Sequence, residues 1–135
     1  MRAQAAEVTP VIRWAIVDHV LIVLSGTGSV PDDQWQGMHA AMNEEAVRVY
    51  LGVSVGSVHL TRAQRQEGAE TVKRRKLLAV VVTDERLVRG VVTAVRWLGA
   101  DVNAFPLDEL GQALEFVNLG PDARAVIDEL GVGIS

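Results

Sequence analysis

The pattern of apolar and polar positions changes most sharply between residues 76 and 99. Residues 77–82 (LLAVVV) form an unbroken apolar run rich in β-branched side chains, which is typical of a strand buried on both faces of a parallel sheet. Thr83 and Asp84 end this run, and from Leu87 to Gly99 apolar residues recur at helical spacing. We therefore predict a buried strand, a polar corner and a helix.

Two apolar segments near the start of the chain predict a pair of antiparallel strands, at residues 11–17 and 20–24. Asp18 and His19 would form the two-residue turn between them. Because Asp-His lacks the glycine that tight hairpin turns prefer, one long bent strand is the alternative.

The rest of the chain alternates between strand and helix patterns. In order, it predicts a helix from Pro31, a strand at 47–55, a helix capped by Thr61, a strand at 101–105, and two helices beginning near Asp108 and Ala123. Such alternation is typical of an α/β fold. We predict a mixed but largely parallel sheet of about five strands, covered by four to five helices. Residues 1–9 are expected to be a flexible arm and residues 10–135 a single domain.

Composition excludes several classes of function. The net charge of −4 argues against a nucleic-acid binder that works by general basicity. The chain has no cysteine, so disulfides, thiolate chemistry and cysteine-based zinc sites are excluded. Neither a signal-peptide core nor an apolar run of membrane-spanning length is visible. We therefore expect a soluble, cytoplasmic protein.

Several short motifs carry a resemblance to a known family. Residues 24–26 (Leu-Ser-Gly) resemble the corner after the second strand of the STAS fold of anti-sigma-factor antagonists. Residues 104–105 (Ala-Phe), 108–109 (Asp-Glu) and 113–117 (ALEFV) resemble the closing half of the SpoIIAA-like family, also called STAS/SEC14-like. The resemblance implies a non-enzymatic regulatory or protein-interaction domain with an unknown protein partner. Its SEC14-like side implies, as the alternative, a domain that binds or senses a small, possibly lipid-like ligand.

One family motif is missing. Classical antagonists carry an Asp-Ser-Ser-Gly-like turn in which a serine at the head of a helix is phosphorylated. The corresponding corner here is residues 54–57 (Ser-Val-Gly-Ser), so regulation by a dedicated serine kinase has no direct support. Ser57 is the residue that matches the position best.

Topology predicts where a switch or ligand site would lie. The strands at 47–55 and 77–82 should be parallel neighbours, and ligands gather beyond the carboxyl ends of parallel strands. The predicted switch or ligand rim consists of Ser54, Ser57, Thr83 and Asp84. A phosphate on Ser57 would be favoured by free N–H groups of a helix starting near Thr61 and opposed by Asp84. The alternative interpretation is that all four are capping and turn residues.

No catalytic or metal site is predicted. The three histidines, His19, His39 and His59, do not lie at i, i+4 spacing or in a metal-binding motif, and no nucleophile elbow is present. We therefore expect no enzyme activity, cofactor or metal. The basic run at 73–76 (KRRK) predicts a helix C-terminus, with a contact patch for an acidic partner as the alternative.

Two further expectations concern packing. Val81 is expected to be buried, with a cost of about 1–3 kcal/mol for its replacement by alanine. The terminal helix at 123–130 carries surplus aliphatic residues, from which we predict partial packing on a second protomer and a homodimer.

Overall fold

The computed structural model describes residues 10–86 and 101–132. The predicted arm at 1–9 and the predicted helix at 87–99 therefore lie outside the described residues. The strands are β1 (Ile12–Val17), β2 (Val20–Ser25), β3 (Gly28–Ser29), β4 (Val49–Ser54), β5 (Val58–His59), β6 (Leu78–Val82) and β7 (Val102–Phe105). The described helices are α1 (Asp32–Met42), α2 (Arg62–Arg74), α3 (Leu110–Phe116), which follows a short 3-10 turn, and α4 (Pro121–Gly131).

Five strands form one sheet in the order β1-β2-β4-β6-β7. Strand β1 is antiparallel to β2, and every other neighbouring pair in this sheet is parallel. The predicted α/β class with a largely parallel five-stranded sheet is therefore confirmed, and β6 is an internal strand. A second sheet, in which the two-residue strands β3 and β5 pair in parallel, was not expected from the sequence.

The first two strands form a tight hairpin. Val17 pairs with Val20 across the turn, and Asp18 adopts φ +55°. Aspartate is one of the few residues other than glycine that tolerate this left-handed conformation. Asp18 thus takes the place of the glycine that the sequence lacks, and the alternative of one bent strand is excluded.

The sheet has an apolar layer on each face. Helices α3 and α4 pack on the face that carries Ile22, Leu51 and Val80, while α1 and α2 pack on the face that carries Leu21 and Val23. This arrangement explains why the β2 and β6 sequences are apolar at successive positions.

Val81 does not have the burial expected from the sequence. Val80 and Val82 are 0% exposed, but Val81 is only half-buried. Its cross-strand partners are Gly52 and Ala104, whose small or absent side chains leave it partly uncovered. The expectation that Val81 is fully buried is therefore wrong.

The terminal helix packs on its own sheet. Ala123, Ile127 and Leu130 of α4 are buried in the same core layer as β2 and β4, and Arg13 of β1 donates a hydrogen bond to the Leu130 carbonyl at 3.2 Å. The apolar residues of α4 from which we predicted a dimer therefore pack within the same chain. The homodimer stays a prediction, to be tested by light scattering.

Helix α2 ends in a Schellman motif with an unusual residue. Lys76 has φ +54°, while the Leu77 N–H donates to the Val72 carbonyl at 2.9 Å and the Lys76 N–H donates to the Lys73 carbonyl at 3.2 Å. Glycine is the usual residue at this left-handed position because it has no Cβ.

We expect Lys76→Gly to raise the free energy of unfolding by about 0.5–1 kcal/mol, because it relieves the left-handed strain of a lysine. Urea unfolding measures the change. Lys73→Gly, in the last helical turn, is the matched control and should lower the stability by about 1 kcal/mol. A loss of stability in Lys76→Gly would contradict the assignment of strain to Lys76.

Candidate functional site

The predicted rim residues lie at one end of the sheet. Ser25 pairs with Ser54, and Val53 pairs with Val82, so Thr83 follows β6 at the level of Ser54. Ser57 and Asp84 follow these two strand ends in the sequence. The rim therefore exists as a set of neighbouring strand ends, while its role as a switch stays a prediction.

A small two-stranded flap covers part of this end. We call residues 27–30 and 57–60 the flap. The Gly28 N–H donates to the Ser57 carbonyl at 3.0 Å, and the Val30 N–H donates to the His59 carbonyl at 3.1 Å. The Thr27 hydroxyl accepts from the Ser57 N–H at 3.3 Å. These bonds join the loop after β2 to the loop after β4.

Three of the four rim side chains are engaged in turns. The Ser54 hydroxyl donates to the Gly56 carbonyl at 2.9 Å. Thr83 is 0% exposed, and its Oγ1 accepts from the Glu85 N–H at 3.1 Å. The exposed Asp84 accepts from the Leu107 N–H at 3.0 Å and so ties the loop after β6 to the loop after β7. These contacts support the capping and turn interpretation for Ser54, Thr83 and Asp84.

The first turn of α2 is closed by its own side chains. Thr61 and Gln64 form a capping box, in which each side chain accepts from the other residue's backbone N–H at 3.0 Å. Ser57 precedes the two-residue strand β5, and Thr61 follows it. The helix therefore begins where the sequence indicated, and the expectation that its N–H groups would stabilise a phosphate on Ser57 stays a prediction.

A small cavity lies between the sheet, α1 and the flap. Its volume is about 60 Å³, and its lining residues are Ile12, Val23, Ser25, Trp35, Met38, Tyr50, Val58 and Leu60. A water needs only roughly 10–15 Å³ of such space, so the cavity has room for a few waters. It is far smaller than the roughly 300–1,000 Å³ of a drug-sized site, so it does not accommodate a lipid chain.

Tyr50 forms one wall of this cavity, and sequence reasoning missed it. A Cβ built on Gly52 would lie 2.9 Å from Tyr50 Cε1 and 3.1 Å from its hydroxyl oxygen, so the ring lies across the glycine. Although the residue as a whole is half-buried, burial of the phenol raises the pKa of Tyr50 to about 12. The signal in the sequence was a glycine two residues after a tyrosine within a strand.

We expect the phenol of Tyr50 to titrate near pH 12, because burial disfavours the phenolate. It is the chain's single tyrosine, so near-ultraviolet absorbance of the phenolate reports on it alone, and the denatured protein should titrate near the usual value of about 10. Since the folded-state pKa is the higher one, Tyr50 should lower the stability as the pH rises from about 10 to about 12. Tyr50→Phe should lack this component, and equal pKa values in the folded and denatured protein would contradict burial of the phenol.

A polar cluster joins α1 to α2. The indole N–H of Trp35 donates to Glu67 Oε1 at 2.5 Å, and His39 Nε2 lies 2.7 Å from the Thr71 hydroxyl. His39 Nδ1 lies 3.8 Å from Glu67 Oε1. The order carboxylate, imidazole, hydroxyl is that of a nucleophile system. Thr71, however, is only 3% exposed and lies within a helix, so we interpret the cluster as a tie between the helices.

Two arginines of the basic run at 73–76 bind neighbouring groups at the C-terminal end of α2. Arg75 Nη1 donates to the Met42 carbonyl at 2.6 Å and to the Val47 carbonyl at 3.2 Å. Arg74 donates to Asn43 Oδ1 at 2.7 Å. These contacts support the prediction that the run is the C-terminal end of a helix.

Among residues 10–86 and 101–132, no three histidine, cysteine, aspartate or glutamate side chains come together in a group that could hold a metal ion. Within the same ranges, no helix has both the length and the apolar character needed to cross a membrane.

Comparison with known proteins gives little information about function. No family model matches the chain, and no curated protein matches it. Among solved structures it is similar to the crystal structure of a probable enoyl-CoA hydratase from Mycobacterium thermoresistibile, with 12% sequence identity over 90% of this chain and 89% of that chain, and a TM-score of 0.41. A similarity at this level supports neither a shared fold nor a shared activity.

Proposed function

We propose that this chain is a non-enzymatic regulatory or protein-interaction domain of the STAS/SpoIIAA-like type, with the flap as its contact surface. The observation that carries the proposal is the division of the flap into an outer and an inner side. Thr27, Ser29, Ser57 and His59 are exposed, whereas Val30 is buried and Val58 and Leu60 are half-buried. The flap thus presents a polar row to solvent above an apolar underside.

The loops of the rim beside the flap are held by hydrogen bonds. Ser54 and Asp84 hold the adjoining loops through hydrogen bonds to backbone groups, and a surface held in its binding conformation loses less entropy on association. Val55, 55% exposed beside the flap, supplies an aliphatic group of the kind that contributes to protein contacts. The closed core and the engaged rim side chains are more consistent with recognition than with catalysis.

Site-specific photo-crosslinking in native cells tests the proposal. A photoreactive amino acid in place of Ser57 should give a discrete protein adduct, identified by mass spectrometry. The control position is Arg124, which is 57% exposed on α4 at the opposite face of the sheet. The same adducts from both positions, or none from Ser57, would contradict a contact surface at the flap.

A second candidate function is the binding or sensing of a small ligand. The observation that favours it is the cavity beneath the flap, where the hydroxyl-bearing residues Ser25 and Tyr50 join six apolar residues. The volume of about 60 Å³ restricts this candidate to very small molecules.

A further inference from the structure

We propose that the cavity beneath the flap binds a small, uncharged molecule with an apolar body and one hydrogen-bonding oxygen, and that the flap is its gate. The inference rests on the second candidate function and specifies its ligand class. The cavity includes Val23 and Ser25 at the carboxyl end of β2, and ligands gather beyond the carboxyl ends of strands in parallel sheets.

The lining determines the chemistry of the ligand. None of the eight lining residues carries a charge, so a charged ligand would lose its hydration without gaining an ionic partner. The hydroxyls of Ser25 and Tyr50 can each donate and accept hydrogen bonds, which suits a small alcohol or ketone. Trp35 and Met38 of α1, opposite the sheet, match an apolar body.

The wall of the cavity that Tyr50 forms depends on a glycine within a strand. Gly52 lies between Val23 and Val81 in the sheet, where a side chain would ordinarily pack. A Cβ there would come within 2.9 Å of the Tyr50 ring. Glycine inside a strand often marks a close approach of a ligand or of another group. Here it lets the tyrosine lie flat and form the wall of the cavity.

The flap has the features of a gate. It forms a sheet of its own, and two side chains fasten it to α2: Gln64 Nε2 donates to the Val30 carbonyl at 3.1 Å, and Arg65 Nη1 donates to the Leu60 carbonyl at 2.8 Å. Gly28 at φ +118° and Gly56 lie within it or at its base. The flap can therefore separate from the cavity while the five-stranded sheet stays intact.

The test uses the full chain labelled with ¹⁵N and 1-propanol as the probe, with propionate as a charged probe of similar size. A molecule of so few atoms should bind with a Kd on the order of millimolar. We expect saturable amide shifts at Val23, Ser25, Val58 and Leu60 with 1-propanol and none with propionate. Shifts that rise linearly over the whole chain, or equal shifts with propionate, would overturn the site.

Variants distinguish binding in the cavity from binding on the surrounding surface. Val58→Phe fills the cavity from the half-buried roof and should weaken binding at least ~10-fold, a loss of about 1.4 kcal/mol. Tyr50→Phe should weaken it by several fold through loss of one hydrogen bond. The matched control is Val132→Phe, at a position that is 85% exposed after α4, which should bind as the parent does. Parental affinity in Val58→Phe would overturn the proposal even if Tyr50→Phe were poorly folded.

Hydrogen exchange tests the gate. Val58 and Leu60 of the lining lie in the 57–60 segment, so the gate opens when this segment leaves β3 and breaks the bonds that the Gly28 and Val30 amides donate to it. Bound 1-propanol should therefore slow the exchange of these two amides several fold, and Arg65→Ala should accelerate it relative to Arg62→Ala. Binding without either change would overturn the gate. Ligand-observed NMR of the protein in a small-molecule extract of the native cells, which detects millimolar binding, tests the sensing function separately. A molecule that Val58→Phe binds as the parent does would contradict the cavity but not that function, and crosslinking at Ser57 tests protein recognition independently.

Discussion

Replacement of Leu51 by alanine is expected to lower the free energy of unfolding by about 2–5 kcal/mol. Leu51 is 0% exposed and lies in β4, the central strand of the five-stranded sheet. Its cross-strand neighbours are Ile22 and Val80, and both are fully buried. The truncation removes apolar contacts and leaves a cavity that strands fixed on both sides cannot close.

Urea unfolding followed by circular dichroism measures the effect of Leu51→Ala. Ile16→Ala is the control, because Ile16 is an aliphatic side chain on the edge strand β1 that is 43% exposed, and we expect a change of about 0.5 kcal/mol or less. Equal losses in the two variants would show that burial in β4 does not dominate the stability of the domain.

The main sheet could be predicted because its signals are local. The apolar run at 77–82 is short, continuous and rich in β-branched residues, which favours a strand covered on both faces. Thr61 and Gln64 have the spacing of a capping box, which indicates the start of α2. Each signal lies within a few residues and does not depend on distant parts of the chain.

The flap and the cavity could not be predicted because their causes are distant in sequence. Strands β3 and β5 have two residues each, too few for an alternating pattern, and they pair only because β2 and β4 end side by side. The wall formed by Tyr50 depends on Gly52 and on residues of α1. No local pattern brings these groups together.

For the rim, the position of the strand ends could be predicted from the sequence, but the roles of the side chains could not. Parallel pairing of β4 and β6 follows from alternating strands and helices, so the strand ends of Ser54 and Thr83 could be placed together. The hydrogen-bond partners of these side chains are backbone groups two residues further along the same loop, and sequence patterns do not specify loop geometry. The location was therefore predictable, whereas the roles of the individual hydroxyls were not.

The polar cluster between α1 and α2 is expected to contribute strongly to stability. We expect Glu67→Ala to lower the free energy of unfolding by about 1–3 kcal/mol, because it removes the acceptor of a buried indole N–H. Trp35 is only 4% exposed and donates to Glu67 Oε1 at 2.5 Å. The same carboxylate lies 3.8 Å from His39, so α1 and α2 lose both contacts at once.

Glu67→Gln distinguishes the contribution of the hydrogen bond to stability from the contribution of the negative charge. It keeps an oxygen acceptor for the Trp35 indole, so we expect less than half of the loss measured for Glu67→Ala. Glu70→Ala is the matched control, because Glu70 is exposed on the same helix, and its effect should stay within about 0.5 kcal/mol. Urea unfolding of the three variants, with tryptophan fluorescence as the signal, measures these differences. If Glu67→Ala were as stable as Glu70→Ala, the Trp35 N–H would not depend on Glu67, and the cluster would not be the tie between α1 and α2.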